Sequence, residues 1–437
     1  MVKKARLMVW MNGHRVGEWS IQRGQDRFRY LSEWIENPMG RPLSLSMPFT
    51  PNNDTYVGDT VAYYFENLLP DHDDIRRRLA AKLKARSTHP FDLLAEAGRD
   101  CVGALQLLPE GQTPENLKSI KSEPLDESEI AKILRNTQSK TTIGLDSDNE
   151  LRLSLAGAQE KTALLWHKGQ WHRPFGATPT THIFKLPLGL VANIQADMRG
   201  SVENEWLCSK IIAAFGVPIA NCDMAVFEEQ KALVVERFDR QLSKDKKWIM
   251  RLPQEDFCQV LGQSMHQKYE SDGGPGIESS MKILDSSSQK RVDRDNFFKA
   301  QILFYLLYAT DGHAKNFSIQ HIDRYRYRMT PLYDVLSVAP ILGEGPNQMR
   351  SKKASLAMSL KSKNRHKIIQ NIQRRHFVAQ AQRVGYSELE ANQLIEQLIG
   401  KVDSVITDVA NLLPSHFPQN ISDSIFSIMK KQCKSLS

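Results

Sequence analysis

Hydrophobic and polar residues change rhythm along the chain, from short alternating runs at the start to helical spacing later. Leu7, Val9 and Met11 alternate with the residues between them, Asn12-Gly13 supplies a turn, and Arg15 to Trp19 returns; this predicts a β-hairpin. Phe28 and Tyr30 continue the alternation as a further strand. Val61, Tyr64, Phe65 and Leu68 then fall at helical spacing behind Thr60, a residue suited to capping, with Pro70 near the end. A second helix is expected over Ile75 to Ala85 and a third from near Pro90. The first ~110 residues therefore read as a compact mixed α/β unit.

From Pro109 to Asn149 the chain turns polar, with one short helical pattern from Glu127 to Asn136, and reads as a connector. We place the domain division there: an N-terminal α/β domain over residues 1–145, with the connector from about 110, and a second domain over 146–437. The second domain opens with strand-like runs at Leu151 to Leu155, Lys161 to Trp166, His182 to Leu186, Met224 to Phe227 and Ala232 to Val235. Among them, Glu203 to Phe215 reads as a helix closed by Gly216 and Pro218. Helices dominate from about residue 250, and Phe297 to Ala309, apolar on nearly all sides, should be the buried spine of a helical lobe. The expected class is α+β.

Composition narrows the setting. Of 437 residues, 41% are hydrophobic and 25% charged, enough apolar surface for two cores and too much for global disorder. The five cysteines are widely spaced and form no C-x-x-C pair, so neither a zinc site nor a disulfide framework is expected. The apolar stretch after Met1-Val2-Lys3-Lys4 breaks at Asn12-Gly13, too soon for a secretory leader, and no run reaches the roughly 18 apolar residues of a membrane span. A soluble, cytoplasmic protein is the expectation. The net charge of +8 matters for its distribution: between Glu344 and Glu388 there are ten Lys or Arg and no acidic residue. A polyanionic partner fits such a stretch, and the ordinary alternative is the solvated face of a basic helix.

The chemistry concentrates in Thr310-Asp311-Gly312-His313-Ala314-Lys315-Asn316 and in Pro331-Leu332-Tyr333-Asp334, separated by a strand-like run from Tyr325 to Met329. An Asp, an Asn five residues later and a second Asp further on follow the order of a kinase catalytic loop and its metal-binding Asp. Phosphoryl transfer needs a carboxylate to take the acceptor's proton and hard oxygen ligands for Mg²⁺. Upstream, the small residues of Ser154-Leu155-Ala156-Gly157-Ala158-Gln159-Glu160-Lys161 allow close backbone approach to phosphates. Lys185 ends an apolar strand where a cation would hold ATP phosphates, with Glu205 or Glu203 on the next helix to orient it. Glu236-Arg237-Phe238 follows a strand and precedes the helical half, where a hinge would meet adenine. Each piece alone has an ordinary reading as a turn, a hairpin or a solvated lysine; their shared order is what points to a kinase.

In these segments the sequence resembles the HipA family of toxin kinases. The likeness extends through Met11-Asn12-Gly13-His14-Arg15-Val16-Gly17, Pro42-Leu43-Ser44-Leu45-Ser46, Phe65-Glu66-Asn67-Leu68-Leu69-Pro70 and Gly98-Arg99-Asp100-Cys101-Val102-Gly103-Ala104. It continues in Leu252-Pro253-Gln254-Glu255-Asp256, Asp272-Gly273-Gly274-Pro275-Gly276 and the Asp311 segment. The resemblance implies a two-domain HipA/protein-kinase-like fold and a serine/threonine protein kinase using ATP and Mg²⁺. It implies Asp311 as proton acceptor and Asn316 and Asp334 as Mg²⁺ ligands. ATP contacts are implied at Ala156, Gly157, Ala158, Gln159, Glu160, Lys161, Lys185, Glu236, Arg237, Phe238, His313, Ala314, Lys315, Asn316, Tyr333 and Asp334. Ser154 matches the family's self-phosphorylated serine, where added negative charge would disfavour a loop built for phosphates.

The same resemblance implies a helix-turn-helix antitoxin partner, HipB, with operator DNA bound by the complex; Lys361, Lys363, Arg365 and Lys367 are candidate phosphate contacts. By family analogy the protein substrate is translation-linked, as glutamyl-tRNA synthetase is, with growth arrest and persistence as outcome. Two other functions share parts of this pattern: a small-molecule phosphotransferase, and a co-repressor with a vestigial kinase site.

Overall fold

The computed structural model describes residues 6–138, 159–191 and 196–437. Ser154, Ala156, Gly157 and Ala158, and the strand expected over 151–155, lie outside the described residues. The opening hairpin forms as its pattern requires: β1 (Arg6–Met11) and β2 (His14–Gln22) pair antiparallel. Asn12 (φ 46°) and Gly13 (φ 87°) supply the left-handed pair of a tight turn. The sheet continues through β3 (Gln25–Tyr30), β4 (Tyr56–Val57) and β5 (Leu105–Pro109) in the order β4-β3-β2-β1-β5. Helices α1 (Ser32–Glu36), α2 (Asp59–Glu66), α3 (Asp73–Leu83) and α4 (Pro90–Ala97) accompany it. Trp19 stacks on Phe65 of α2 with ring centroids 3.9 Å apart, so the alternate strand positions and the helical apolar stripe share one core. The start of α2 differs from expectation. Gly58 at φ 88° takes the capping position, its carbonyl accepting from Val61 and Ala62 at 3.1 Å, and Thr60 lies inside the first turn.

Within the segment read as connector, residues 122–124 form a strand of the second sheet. β6 (Ser122–Pro124) and α5 (Glu127–Gln138) precede β7 (Lys161–His167), β8 (Gln170–Pro174) and β9 (His182–Lys185). A ribbon of β10 (Gly189–Val191) and β11 (Ala196–Met198) leads to helix α6 (Ser201–Ala214), then to β12 (Cys222–Phe227) and β13 (Gln230–Glu236). The strand order β12-β13-β9-β7-β8-β6 places β6 at an edge, while Ile130, Ala131 and Leu134 of α5 bury against Leu164 and Phe184. A three-residue strand carries too little pattern to read; the helix expected from Glu127 forms, but its packing partners are distant in sequence and left no local signal. Packing therefore groups residues 122–138 with the second unit.

A ribbon of β14 (Arg240–Leu242) and β15 (Ile249–Arg251), strand β16 (Gln254–Asp256) and helices α7 (Phe257–Val260), α8 (Ile277–Leu284) and α9 (Lys290–Leu307) follow. β17 (Ser318–His321) and β18 (Tyr327–Met329) pair beside β16, as the strand-like run before Asp334 predicts. Phe297, Phe298, Ile302, Leu303 and Leu306 make α9 the expected spine, each wholly buried and each contributing about 1.5–3 kcal/mol by burial.

The acid-free stretch is not a helix throughout. Lys361, Lys363, Arg365 and Lys367 sit on the hairpin of β19 (Ser355–Lys361) and β20 (Arg365–Ile368). Burial of Leu356, Met358 and Leu360 at period two explains the strand. Lys363, Arg365 and Lys367 are exposed, while Lys361 is drawn toward Glu270 at 3.6 Å. Helices α10 (Arg374–Arg383), α11 (Glu388–Ile399), α12 (Val402–Ala410) and α13 (Gln419–Leu436) pack around α6 and α9.

The two units are joined by polar contacts, buried or partly so. Asn12 brackets the Arg251 backbone, donating to its carbonyl at 2.8 Å and accepting from its N–H at 3.0 Å. Asp100 of the first unit faces Arg240 at 2.9 Å, Arg251 at 3.3 Å and Arg237 at 3.4 Å, all on the second. Asp239 completes the cluster, pairing with Arg237 at 2.9 Å and accepting from the Gly103 N–H at 2.7 Å.

Candidate active site

Helix α9 ends where Tyr308 adopts a left-handed conformation (φ 53°), releasing the chain into Asp311. Gly312 is required next, because a Cβ there would lie 2.3 Å from the Phe304 ring. The loop is closed by its own polar groups: Asn316 Nδ2 donates to the Asp311 carbonyl at 2.7 Å and to the Asp334 carbonyl at 3.4 Å. Both contacts use the amide nitrogen, and among the described residues Oδ1 accepts no hydrogen bond, which leaves a hard oxygen free beside Asp334. The β17–β18 hairpin returns the chain to Asp334, itself held at φ 62°. Such a conformation costs a non-glycine residue about 1–3 kcal/mol and is kept where surroundings over-determine it.

Those surroundings come from the sheet. Lys185 at the end of β9 places Nζ 2.5 Å from Glu205 Oε1 and 2.9 Å from Asp334 Oδ1. Of the two glutamates offered by α6, Glu205 is the partner; Glu203 pairs with Lys231 instead. Lys161 stands opposite Lys185 in the β7–β9 register, so two cations line one wall. Burial opposes charge on Asp334, yet Lys185 and Lys161 hold its carboxyl at about 2. Burial also opposes charge on Lys185, but Asp334 and Glu205 together hold its ammonium above the usual lysine range. Burial pushes Glu205 up to about 7, against the pull of Lys185, and lowers Lys161 to about 8.

These groups open onto one cleft. Gln159, Lys161 and Lys185 line the sheet side; Asp311, His313, Lys315, Asn316, Tyr333 and Asp334 line the opposite side. Between them Ile183, Leu188, Ala220, Val235 and Leu336 make an apolar slot beside Glu236, Arg237 and Phe238. The Phe238 and Tyr333 rings sit 5.9 Å apart. The guanidinium of Arg237 turns away into the Asp100–Asp239 cluster, as its bonds to Asp239 and Cys101 show. Among the described residues, two expected contacts are not brought to the cleft. The side chain of Glu160 pairs with Arg78 of α3, and Ala314 is buried beneath the loop.

Sequence reasoning missed a contribution from the first unit. Asn67 and Asp71 line the cleft, and Asp71 accepts from Lys315 and from Lys268, each at 2.7 Å. Asp71 is held well below the usual carboxylate range because those two lysines outweigh its burial. Asn67 lies in the quoted Phe65–Pro70 segment, so a signal existed without a role attached. Tyr269 Oη donates to Asp311 Oδ1, a contact no local pattern announces. Asp256 also lines the cleft, pushed up to about 7 by burial.

An apolar slot ending in the buried Lys185 and the half-buried Lys161 fits a nucleotide with its phosphates toward these two lysines. Asp334 with the free Asn316 oxygen fits a hard divalent cation. Among the described residues no cluster of three or more His, Cys, Asp or Glu could hold a metal, so phosphate oxygens and water would complete any coordination.

Comparison with known proteins shows the family and the fold. Residues 7–108 match the HipA N-terminal domain model and residues 153–406 the HipA-like C-terminal domain model. The Sinorhizobium fredii protein Y4mE is 34% identical over 336 residues, covering 76% of this chain and 77% of that one. The serine/threonine-protein kinase toxin HipA of Shewanella oneidensis is 28% identical over 352 residues, covering 77% of this chain and 76% of its own. A Shewanella oneidensis MR-1 structure of HipA with HipB and operator DNA superposes with a TM-score of 0.80. At 21% identity, covering 98% of this chain and 97% of that one, it establishes the fold.

Proposed function

Since the chain belongs to the HipA family of serine/threonine kinase toxins, we propose that it transfers the γ-phosphate of ATP to a protein hydroxyl, with Asp311 as general base. One observation carries the reading: Lys185, held by Glu205 behind it, and Asp334, Asn316 and Asp311 converge on a single cleft from three separate parts of the fold. Lys185 and Lys161 orient the phosphates, and the apolar slot beside Phe238 takes the base of the nucleotide. Asp334 and Asn316 would hold Mg²⁺, which would supply positive charge against the phosphates. Asp311 accepts the proton as the acceptor oxygen attacks the γ-phosphorus and ADP leaves.

The acceptors we propose are a serine of a translation-linked protein, by family analogy glutamyl-tRNA synthetase, and Ser154 of the chain itself. A HipB-like helix-turn-helix antitoxin is the proposed partner, and the exposed Lys363, Arg365 and Lys367, with Lys361 beside them, are the proposed contacts to operator phosphates in that complex. A cytoplasmic location, nucleoid-associated in the antitoxin–DNA complex, follows from these roles. Among the described residues no helix is long and apolar enough to cross a membrane.

Intact mass before and after incubation with Mg²⁺–ATP tests the proposal. A gain of one phosphate mapped to Ser154 supports protein phosphorylation. Transfer to aminoglycoside-like alcohols alone would favour a small-molecule phosphotransferase, and no transfer to any acceptor would leave the co-repressor reading. Lys185→Met should weaken ATP binding at least about tenfold, because it removes charge-assisted contacts and leaves Glu205 and Asp334 facing the phosphates. Calorimetric titration with ATP measures it; unchanged affinity would remove Lys185 from phosphate binding.

A further inference from the structure

Asp311 is braced from one side only. Tyr269 donates to Oδ1, and His313 Nε2 lies 3.9 Å from the same oxygen. Among the described residues no group hydrogen-bonds Oδ2, and the Asp311 side chain is 54% exposed with Tyr269 in place. The phenol is a dependable donor: burial first, then the negative charge of Asp311, push it above the ordinary tyrosine range, so it keeps its proton. Its ring is fixed as well as its hydroxyl. The edge of Tyr269 meets the His313 ring at 4.8 Å and 86°, and Lys268 Nζ sits 5.5 Å from the Tyr269 ring centroid.

The backbone that carries Tyr269 is built as a tight turn. The Tyr269 carbonyl accepts from the Asp272 N–H at 3.1 Å and from the Gly274 N–H at 3.0 Å, with Gly273 left-handed at φ 89°. A Cβ at Gly274 would come 1.8 Å from the Gln267 carbonyl oxygen, so the turn closes only with glycine there. The next side chain, Glu270, is anchored to β19, accepting from the Ser359 N–H and Oγ, each at 2.6 Å. The Asp272-Gly273-Gly274-Pro275-Gly276 motif, which touches none of the proposed chemistry, thereby acquires a purpose: it sets Tyr269 against the base.

We propose that Tyr269 is a positioning residue. It ties down Oδ1 so that Oδ2 alone faces the acceptor hydroxyl. In the transfer step the acceptor O–H proton goes to Asp311 Oδ2, the acceptor oxygen–phosphorus bond forms, and the bond from the γ-phosphorus to ADP breaks. The inference rests on the kinase reading above and deepens it. A competing arrangement, in which the phenol occupies the acceptor's place and masks the base, conflicts with the exposure of Asp311 and with the three-sided hold on the ring.

Tyr269→Phe tests it, since phenylalanine keeps the ring packing on His313 and removes only the donor. The expected result is a kcat at least about tenfold lower, the order of a lost hydrogen bond to a charged group, with the KM for ATP and the melting temperature close to wild type. Tyr269→Ala should fall no less far in kcat. A ring that served packing alone would leave the Phe variant at wild-type kcat, and that result overturns the inference, as does a faster Phe variant. The wild-type arm separates the failures: a wild type that binds Mg²⁺–ATP yet phosphorylates no protein overturns the kinase reading and this inference together. An active wild type matched by Tyr269→Phe overturns this inference alone.

Discussion

Asp311→Asn is expected to slow phosphate transfer by about 10²–10⁴-fold, the range for loss of a general base, while ATP and Mg²⁺ still bind. The substitution is nearly isosteric, and the loop does not depend on the carboxylate: Asn316 and His313 both donate to the backbone carbonyl of Asp311, at 2.7 and 2.8 Å. The proposed metal ligands are therefore left in position, and so is Lys185, which bonds Glu205 and Asp334 instead. What the variant lacks is the ability to take a proton as the acceptor oxygen attacks. Single-turnover transfer of radiolabelled γ-phosphate, with ATP affinity measured in parallel, reads the two effects separately. A rate within tenfold of wild type would displace Asp311 from its role and leave positioning and electrostatics as the whole of catalysis.

The parts of this site that were legible in sequence are those whose signal is local. Asn12-Gly13 needs positive φ at both positions, and only a few residue types meet that need. The spacing from Asp311 to Asn316 survives because one loop closes on its own carbonyl. Lys185 announced itself as a charge at the end of an apolar strand, but Glu203 and Glu205 could not be told apart. They differ only in which way α6 turns them, and the helix is buried nearly all round. Tyr269 and Asp71 were illegible for a related reason. They reach Asp311 and Lys315 across sequence separations of 42 and 244 residues, through packing that no periodicity encodes. The hairpin bearing Lys361 and Arg365 shows the reverse failure, since the alternation of Leu356, Met358 and Leu360 was readable but the charge run drew the reading toward a helix.

Asp100→Ala should destabilise the fold by about 3–5 kcal/mol, the cost of breaking a buried ion pair from one side. Arg237, Arg240 and Arg251 are nearly inaccessible, with side chains 2%, 2% and 0% exposed, and without Asp100 only Asp239 would remain against three guanidinium charges. The loss would also reach the nucleotide, because Arg237 sits in the segment beside the apolar slot and takes its orientation from this cluster; the KM for ATP should rise. Urea denaturation measures the stability change, with Arg77→Ala as control: its pair with Asp74 is exposed, 68% and 83%, and should matter by less than about 0.5 kcal/mol. The pH dependence has a definite sign. Burial alone would raise the Asp100 carboxyl, but Arg240, Arg237 and Arg251 hold it well below the usual carboxylate range. Its contribution is therefore fully present above the unfolded value of about 4 and is lost progressively as pH falls below it. The gap between wild type and Asp100→Ala should accordingly be constant from neutral pH to about 5 and narrow on further acidification. A gap that stayed constant down to pH 3 would mean that the cluster acts through packing and not through the Asp100 charge, and that the segment beside the apolar slot is held by shape alone.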